Sequence, residues 1–270
     1  MLDLIAAQAI DATCIAITGA GGKTSLLQGL SVYLAANGRP VVLCTSTRIL
    51  PPNDPKLSPL TCQKLLLEAD WGPAQIAKLA EALLDCPASD RRVCISKSQD
   101  NGKLAGLPGE VICEITAKLR AKPGLDRLCV IVEADGAACK PLKAHAPHEP
   151  SIPPCANLTI AVAGLDALGQ NLATAVHRPE LAAQRLGLSQ DNLDYQIQPE
   201  DLAKLLLHPQ GAFKNSPGSR AIVLNKADLL PNQTHGQAVQ AVLAKIAPGI
   251  PCHLTSLSAQ LQAISPKSGP

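Results

Sequence analysis

Short runs of near-continuous apolarity, rich in β-branched residues, recur at residues 13–18, 40–45, 93–95, 128–133, 158–163, 220–225 and 251–255. A strand with one wet face alternates apolar and polar side chains; these runs do not, so each is expected to be covered on both faces. Segments with helical spacing of apolar residues lie between them, at 24–36, 75–86, 109–120, 178–186, 199–207 and 237–246. Strand and helix in alternation require right-handed crossovers. The expected class is therefore α/β: a doubly wound, mostly parallel sheet flanked by helices. Gly38 sharpens one boundary as a left-handed cap after the first of these helices, and Pro40 blocks its continuation.

Only four aromatic residues occur (Tyr33, Trp71, Tyr195 and Phe213), so Leu, Ile, Val and Ala must build the core. The formal charge is +2, with no basic run interleaved with aromatics, which argues against a nucleic-acid surface. Asp3, Asp11 and Lys23 interrupt the N-terminal apolar stretches, and no basic region precedes them, so neither export nor membrane spanning is expected and the cytoplasm is the default location. The ten cysteines contain no C-x-x-C pair. Several, such as Cys14 and Cys129, sit inside apolar runs and read as small buried hydrophobes in a reducing compartment.

Thr18-Gly19-Ala20-Gly21-Gly22-Lys23-Thr24 closes the first apolar run and opens a helical segment. A loop in that place must turn sharply, bring its backbone N–H groups to an anion and point a helix N-terminus at it, which glycines at 19, 21 and 22 allow. Residues Gly19, Ala20, Gly21, Gly22, Lys23, Thr24 and Ser25 are thus expected to hold the phosphates of a nucleotide. Lys23 supplies charge at the β and γ phosphates, and Thr24 a hydroxyl for Mg²⁺. Ile17 stands where the common phosphate-loop pattern has its first glycine, and the string instead resembles the variant found in Mur-type amide ligases.

Two further run ends carry chemistry. Val132-Glu133-Ala134-Asp135-Gly136 places two carboxylates where such sites hold magnesium; either Glu133 or Asp135 could bind the metal and the other orient the attacking water. Asn225-Lys226-Ala227-Asp228 follows another buried run. An ionised Asp228 can accept from the adjacent N1–H and N2–H₂ donors of guanine, a pair that adenine lacks, while Lys226 lies along the base and Asn225 fixes the loop. GTP is therefore expected over ATP, and the segment 255–259 lies where a second contact to the base is commonly placed. Thr45-Ser46-Thr47-Arg48 could reach the γ-phosphate. The loop 139–154, with Lys140, Lys143, His145, His148 and Glu149, reads as a substrate or switch segment or as a rigid surface connection. Loops are also expected at 50–59 and 209–218. Arg178, before Pro179, could stabilise transferred phosphate charge but reads first as a solvated helix-start residue.

Taken in order, 17–24, 45–47, 132–137, 141–144, 148–150, 164–169, His177-Arg178 and 225–228 resemble the YqeC family almost end to end. The resemblance implies a P-loop nucleoside triphosphatase-like fold, here expected as one domain over 1–270 with a tail at 264–270. It also implies a role as accessory factor for selenium-dependent molybdenum hydroxylases or in selenium-cofactor biosynthesis. The partner would then be a molybdenum hydroxylase or a cofactor-maturation enzyme. The segment 132–136 is also similar to the Ile-Glu-Thr-x-Gly element of CobW-type metallochaperone GTPases. Together with the residues, this gives a Mg²⁺-dependent triphosphatase with Lys23, Glu133 and Asp135 as catalytic groups. The alternatives are an ATP-dependent ligase or phosphotransferase, suggested by the Mur-like loop, and a non-hydrolysing nucleotide-dependent scaffold for a partner enzyme.

Overall fold

The computed structural model describes residues 2–48, 64–228 and 232–264. Eight parallel strands form the central sheet: β1 (Cys14–Gly19), β2 (Val41–Thr45), β3 (Lys64–Leu67), β4 (Arg92–Ser96), β7 (Cys129–Glu133), β9 (Leu158–Gly164), β11 (Ser219–Asn225) and β12 (Cys252–Leu254). Two short pairs lie outside it, the antiparallel β5 (Gln99–Asp100) with β6 (Lys103–Leu104), and the parallel β8 (Leu142–Lys143) with β10 (Val176–His177). The spatial order is β12-β11-β9-β1-β7-β2-β4-β3. β1 is therefore flanked by β9 and β7, and the glycine loop, the paired carboxylates and the Asn-Lys-Ala-Asp segment all leave the same edge of the sheet.

The helices are α1 (Leu2–Ala9), α2 (Lys23–Ala36), α3 (Pro73–Leu84), α4 (Gly109–Arg120), α5 (Leu172–Ala175), α6 (Pro179–Leu186), α7 (Pro199–Leu207), α8 (Asn232–Ile246) and α9 (Leu257–Ile264). One core layer joins Ile5 of α1, Leu26 and Leu30 of α2 and Leu257 of α9 to Ile15, Ile17, Ile131 and Val162 of the sheet. Ala16, Val42 and Val130 face the other way, onto Ile76 and Leu83 of α3 and Ile112 and Leu119 of α4. Further along that face, Ala161, Ala163, Ile222 and Leu224 meet Leu202 and Leu206 of α7 and Val239 and Leu243 of α8. Successive residues of a single strand are thus buried on opposite faces, which is the physical reason the runs lack alternation. At about 25 cal/mol per Å² of apolar surface, such two-sided burial is the main stabilising term.

Each strand and helix expected from the sequence is present, with ends shifted by a few residues, and Gly38 has the left-handed φ of 72° expected of it after α2. The edge strand β3 and the helices α1, α5 and α9 were not foreseen. β3 and α5 are four residues each, too short for periodicity to register. Helix α1 is held by a side chain from afar: the Arg39 guanidinium, 3% exposed, donates to the carbonyls of Ala9 (3.1 Å) and Ala12 (2.7 Å), filling orphan acceptors at the helix end. The loop expected at 50–59 and the tail from residue 265 lie outside the described residues; Ile264 ends α9.

Cys14 and Cys129 are fully buried, and burial pushes the Cys129 thiol up to about 12. Cys113 of α4 and Cys155 are instead joined in a disulfide, with Cα atoms 5.5 Å apart. A separation of 42 residues carries no sequence signal for such a pair. Among the described residues, no helix is long and apolar enough to cross a membrane.

Candidate functional site

The loop between β1 and α2 is shaped by its glycines. Gly19 has φ 91°, and a Cβ there would lie 2.2 Å from the Val162 carbonyl oxygen of the neighbouring strand. Gly22 has φ 141°, and a Cβ would lie 2.3 Å from the Asn225 amide nitrogen. Only glycine combines the left-handed backbone with that closeness of approach. The loop opens on a cleft of about 540 Å³ lined by Gly21, Gly22, Lys23, Thr24 and Ser25, by Glu133, by the Gly136–Lys140 turn with Glu149 and His177, and by Asn225, Lys226 and Ser258. Arg48 and Lys103 stand on a further wall.

Lys23 is held from within. Its ammonium donates to the Gly19 carbonyl at 2.8 Å and lies 3.2 Å from Asp135 Oδ1 and 3.8 Å from Glu133 Oε1. Burial pushes its pKa down, but the two carboxylates outweigh burial and leave it above the ordinary value. Glu133, itself buried, accepts from the Thr24 hydroxyl at 3.0 Å; burial raises its pKa against the opposing charge of Lys23.

Asp135, expected at the metal or the attacking water, is fully buried and is not part of the cleft wall. Its Oδ2 accepts from the Gly19 N–H at 2.9 Å and pairs with His145 Nε2 at 2.7 Å, and Lys143 Nζ lies 3.7 Å away. Burial opposes its ionisation, yet Lys23, His145 and Lys143 hold its pKa far below the usual carboxylate range. The carboxylate is thus a brace for the glycine loop, facing away from solvent.

Behind it lies a cluster that the sequence marked only as a polar loop. Lys143, His145 and Glu149 are all buried rather than forming a surface connection. Lys143 lies 2.9 Å from Glu149 Oε2 and also donates to the Gly136 carbonyl. The same Glu149 oxygen accepts from Arg178 at 2.6 Å and from the Ala146 N–H at 3.2 Å. Against the effect of burial, these donors lower the Glu149 pKa to about 2. Arg178 is therefore an anchored ion-pair partner with φ 70°, not a solvated helix start. The β8–β10 pair brings these segments together, with Lys143 opposite His177. Contacts over about 30 residues of separation leave no trace in local sequence pattern.

The Thr45–Arg48 stretch does not present its hydroxyls to the cleft: Thr45 Oγ1 donates to the Glu133 carbonyl at 2.9 Å and Ser46 Oγ to the Ser151 carbonyl at 2.6 Å. Only Arg48 of this stretch lines the cleft.

The Asn-Lys-Ala-Asp segment meets the phosphate loop directly. The Asn225 amide donates to the Gly21 carbonyl at 2.8 Å and accepts from the Leu257 N–H, at the start of α9, at 2.9 Å. Lys226, with φ 68°, pairs with Asp166 at 2.6 Å. Ala227 N–H donates to the Thr255 carbonyl at 3.0 Å, so segment 255–258 packs beside this loop. Asp228 is exposed and does not line the cleft.

The YqeC family model, described as YqeC protein, matches residues 15–180, which span the glycine loop, both carboxylates, the Lys143–Glu149 cluster and His177-Arg178. The chain belongs to the YqeC family. A relative described as "Uncharacterized protein YqeC", from Escherichia coli (strain K12), is 37% identical over 207 residues, covering 76% of this chain and 72% of the relative. Among solved structures, the chain is similar to HypB from Helicobacter pylori in complex with nickel, at 11% identity and a TM-score of 0.37, over 98% of this chain and 91% of HypB.

Proposed function

We propose that this YqeC-family protein is a Mg²⁺-dependent nucleoside triphosphatase that prefers GTP and serves as an accessory factor in maturing a selenium-dependent molybdenum hydroxylase or its selenium cofactor. The observation that carries the nucleotide reading is Asn225, whose one amide bonds both the phosphate loop and the start of α9. That coupling supports a single ligand spanning the two loops.

In this reading Lys23 donates one of its three N–H bonds to Gly19 and pairs with Asp135, and its ammonium still has donor capacity for a phosphate oxygen. The N–H groups of Gly21 to Ser25 and the helix N-terminus bind the remaining phosphate charge. The Thr24 hydroxyl and Glu133 carboxylate, 3.0 Å apart at the cleft wall, are hard oxygen donors of the kind Mg²⁺ takes, with phosphate and water completing the set. Bound there, the ion neutralises charge on the β and γ phosphates. Asp135 does not fit the metal role, because both of its oxygens face buried cations and donors; it positions Gly19 and Lys23. Asp228, exposed two residues beyond Lys226 of the cleft lining, accepts from the guanine edge once a base reaches it. The maturation role rests on family membership.

Calorimetric titration of GTP and ATP, each with and without Mg²⁺, tests this reading. We expect one-site binding that requires Mg²⁺ and is tighter for GTP. Equal affinities remove the guanine preference, and the absence of binding by either nucleotide removes the site. For the pathway, deleting the gene should lower the activity of a selenium-dependent molybdenum hydroxylase while leaving its polypeptide present; unchanged activity contradicts that role.

A further inference from the structure

The geometry points to His177 as the group in the cleft that takes the proton from the nucleophile attacking the γ-phosphorus. This rests on the triphosphatase reading and adds a residue that the carboxylate pair does not supply. His177 ends β10, opposite Lys143, and its half-buried ring lines the same cleft as Lys23, Thr24 and Glu133. Among the described residues the ring has no hydrogen-bond partner that would occupy either nitrogen.

The other ionisable groups lining the cleft are less suited to take a proton. The lysines and Arg48 are cations. Glu149 takes Lys143, Arg178 and the Ala146 N–H on one oxygen and is too weak a base, at about 2. Glu133 faces Thr24 and Lys23, the side on which the metal is placed. Cys139 is exposed at the rim. His177 is left, and its surroundings suit a base: burial comes first, then Arg178 and Lys143, in holding its pKa below the ordinary 6.5, against the weaker opposing pull of Glu149 and Asp135. The ring is thus neutral at pH 7 and able to accept.

In hydrolysis a water oxygen forms the new bond to the γ-phosphorus and the bond from that phosphorus to the β–γ bridging oxygen breaks. The nucleoside diphosphate leaves with that electron pair, and the proton of the water passes to an imidazole nitrogen of His177.

Hydrolysis of Mg·GTP by the full chain across pH 4.5 to 9, for the parent, His177→Gln and His177→Ala, is the test. The parent kcat/KM, which reports the free protein, should rise with pH along an acidic limb whose midpoint lies below 6.5. His177→Gln should lose that limb and about 10²- to 10⁴-fold in kcat. Its GTP affinity should stay within about twofold, because the interaction lost belongs to the transition state. Added imidazole should restore part of the His177→Ala rate, a rescue that a merely structural role would not give. Full-rate turnover by His177→Gln with the parent's pH profile overturns the inference and leaves the triphosphatase reading standing. GTP binding without turnover in the parent overturns it too, while failure of the parent to bind GTP removes the underlying reading itself.

Discussion

The two ends of the cleft are built to different standards. At the glycine-loop end, Lys23, Asp135, Lys143, His145 and Glu149 are all buried and joined in one network of ion pairs. At the Asn225–Asp228 end the ties are fewer: the Asn225 amide and the Ala227 N–H hold the loop, while Lys226 is part-exposed in its pair with Asp166 and Asp228 is exposed. The contrast is what the proposed triphosphatase reading would require of each end. Polyphosphate carries dense charge and gains from donors fixed in advance at low dielectric, whereas selection between purines needs only a few contacts at an edge. Changes at the first end should therefore damage fold and binding together, and changes at the second should alter selectivity with the fold intact.

Lys23→Ala should have the largest effect, because it removes the phosphate cation and leaves two buried carboxylates without it. We expect triphosphate binding to be lost by calorimetry and stability to fall by about 3–5 kcal/mol in denaturant titration. Normal GTP binding by a folded Lys23→Ala protein would break the comparison. Glu149→Gln comes next, stripping Lys143 and Arg178 of their shared carboxylate, at about 3 kcal/mol. The sign of its pH dependence is fixed by the lowered pKa. In the parent, Glu149 contributes fully above its ordinary value near 4.5, and the contribution fades as pH falls toward about 2. Acid titration of stability should be less steep in that window for Glu149→Gln than for the parent.

Asn225→Ala is intermediate. It frees the Gly21 carbonyl and the Leu257 N–H, so we expect about 1–3 kcal/mol in stability and weaker binding of GTP and ATP alike. A change in only one nucleotide's affinity would show that Asn225 serves the base rather than the coupling. Asp228→Asn should be the mildest for the fold, with an unchanged melting temperature by calorimetry. It should move preference from guanosine toward xanthosine triphosphate by roughly tenfold, about 1.4 kcal/mol of binding energy, because the amide sets a donor where guanine also donates.

The same contrast explains what could be read from the sequence. Strands buried on both faces announce themselves as contiguous apolar runs, and the glycine loop, Thr24, Glu133 and Asn225 lie at run ends where local pattern fixes their place. Asp135 shows the limit: its position at a strand end was legible, but its inward orientation depends on His145 and Lys143, which arrive through the β8–β10 pair. That pair is two residues per strand and leaves no periodic signal. Arg178 was misplaced for the same reason, since its partner Glu149 lies 29 residues earlier in the chain. The Cys113–Cys155 pairing likewise depends on α4 packing near the end of the loop that carries the cluster. Local rules locate elements and their ends; ion pairs between distant segments decide which way the side chains at those ends face.

The central claim is that one nucleotide joins the two unlike ends of the cleft. Amide hydrogen exchange, measured with and without Mg·GTP, tests this most directly. The account predicts slower exchange in both residues 19–25 and residues 225–228 on addition of the nucleotide. Protection confined to one of these segments, or present in neither, would contradict it.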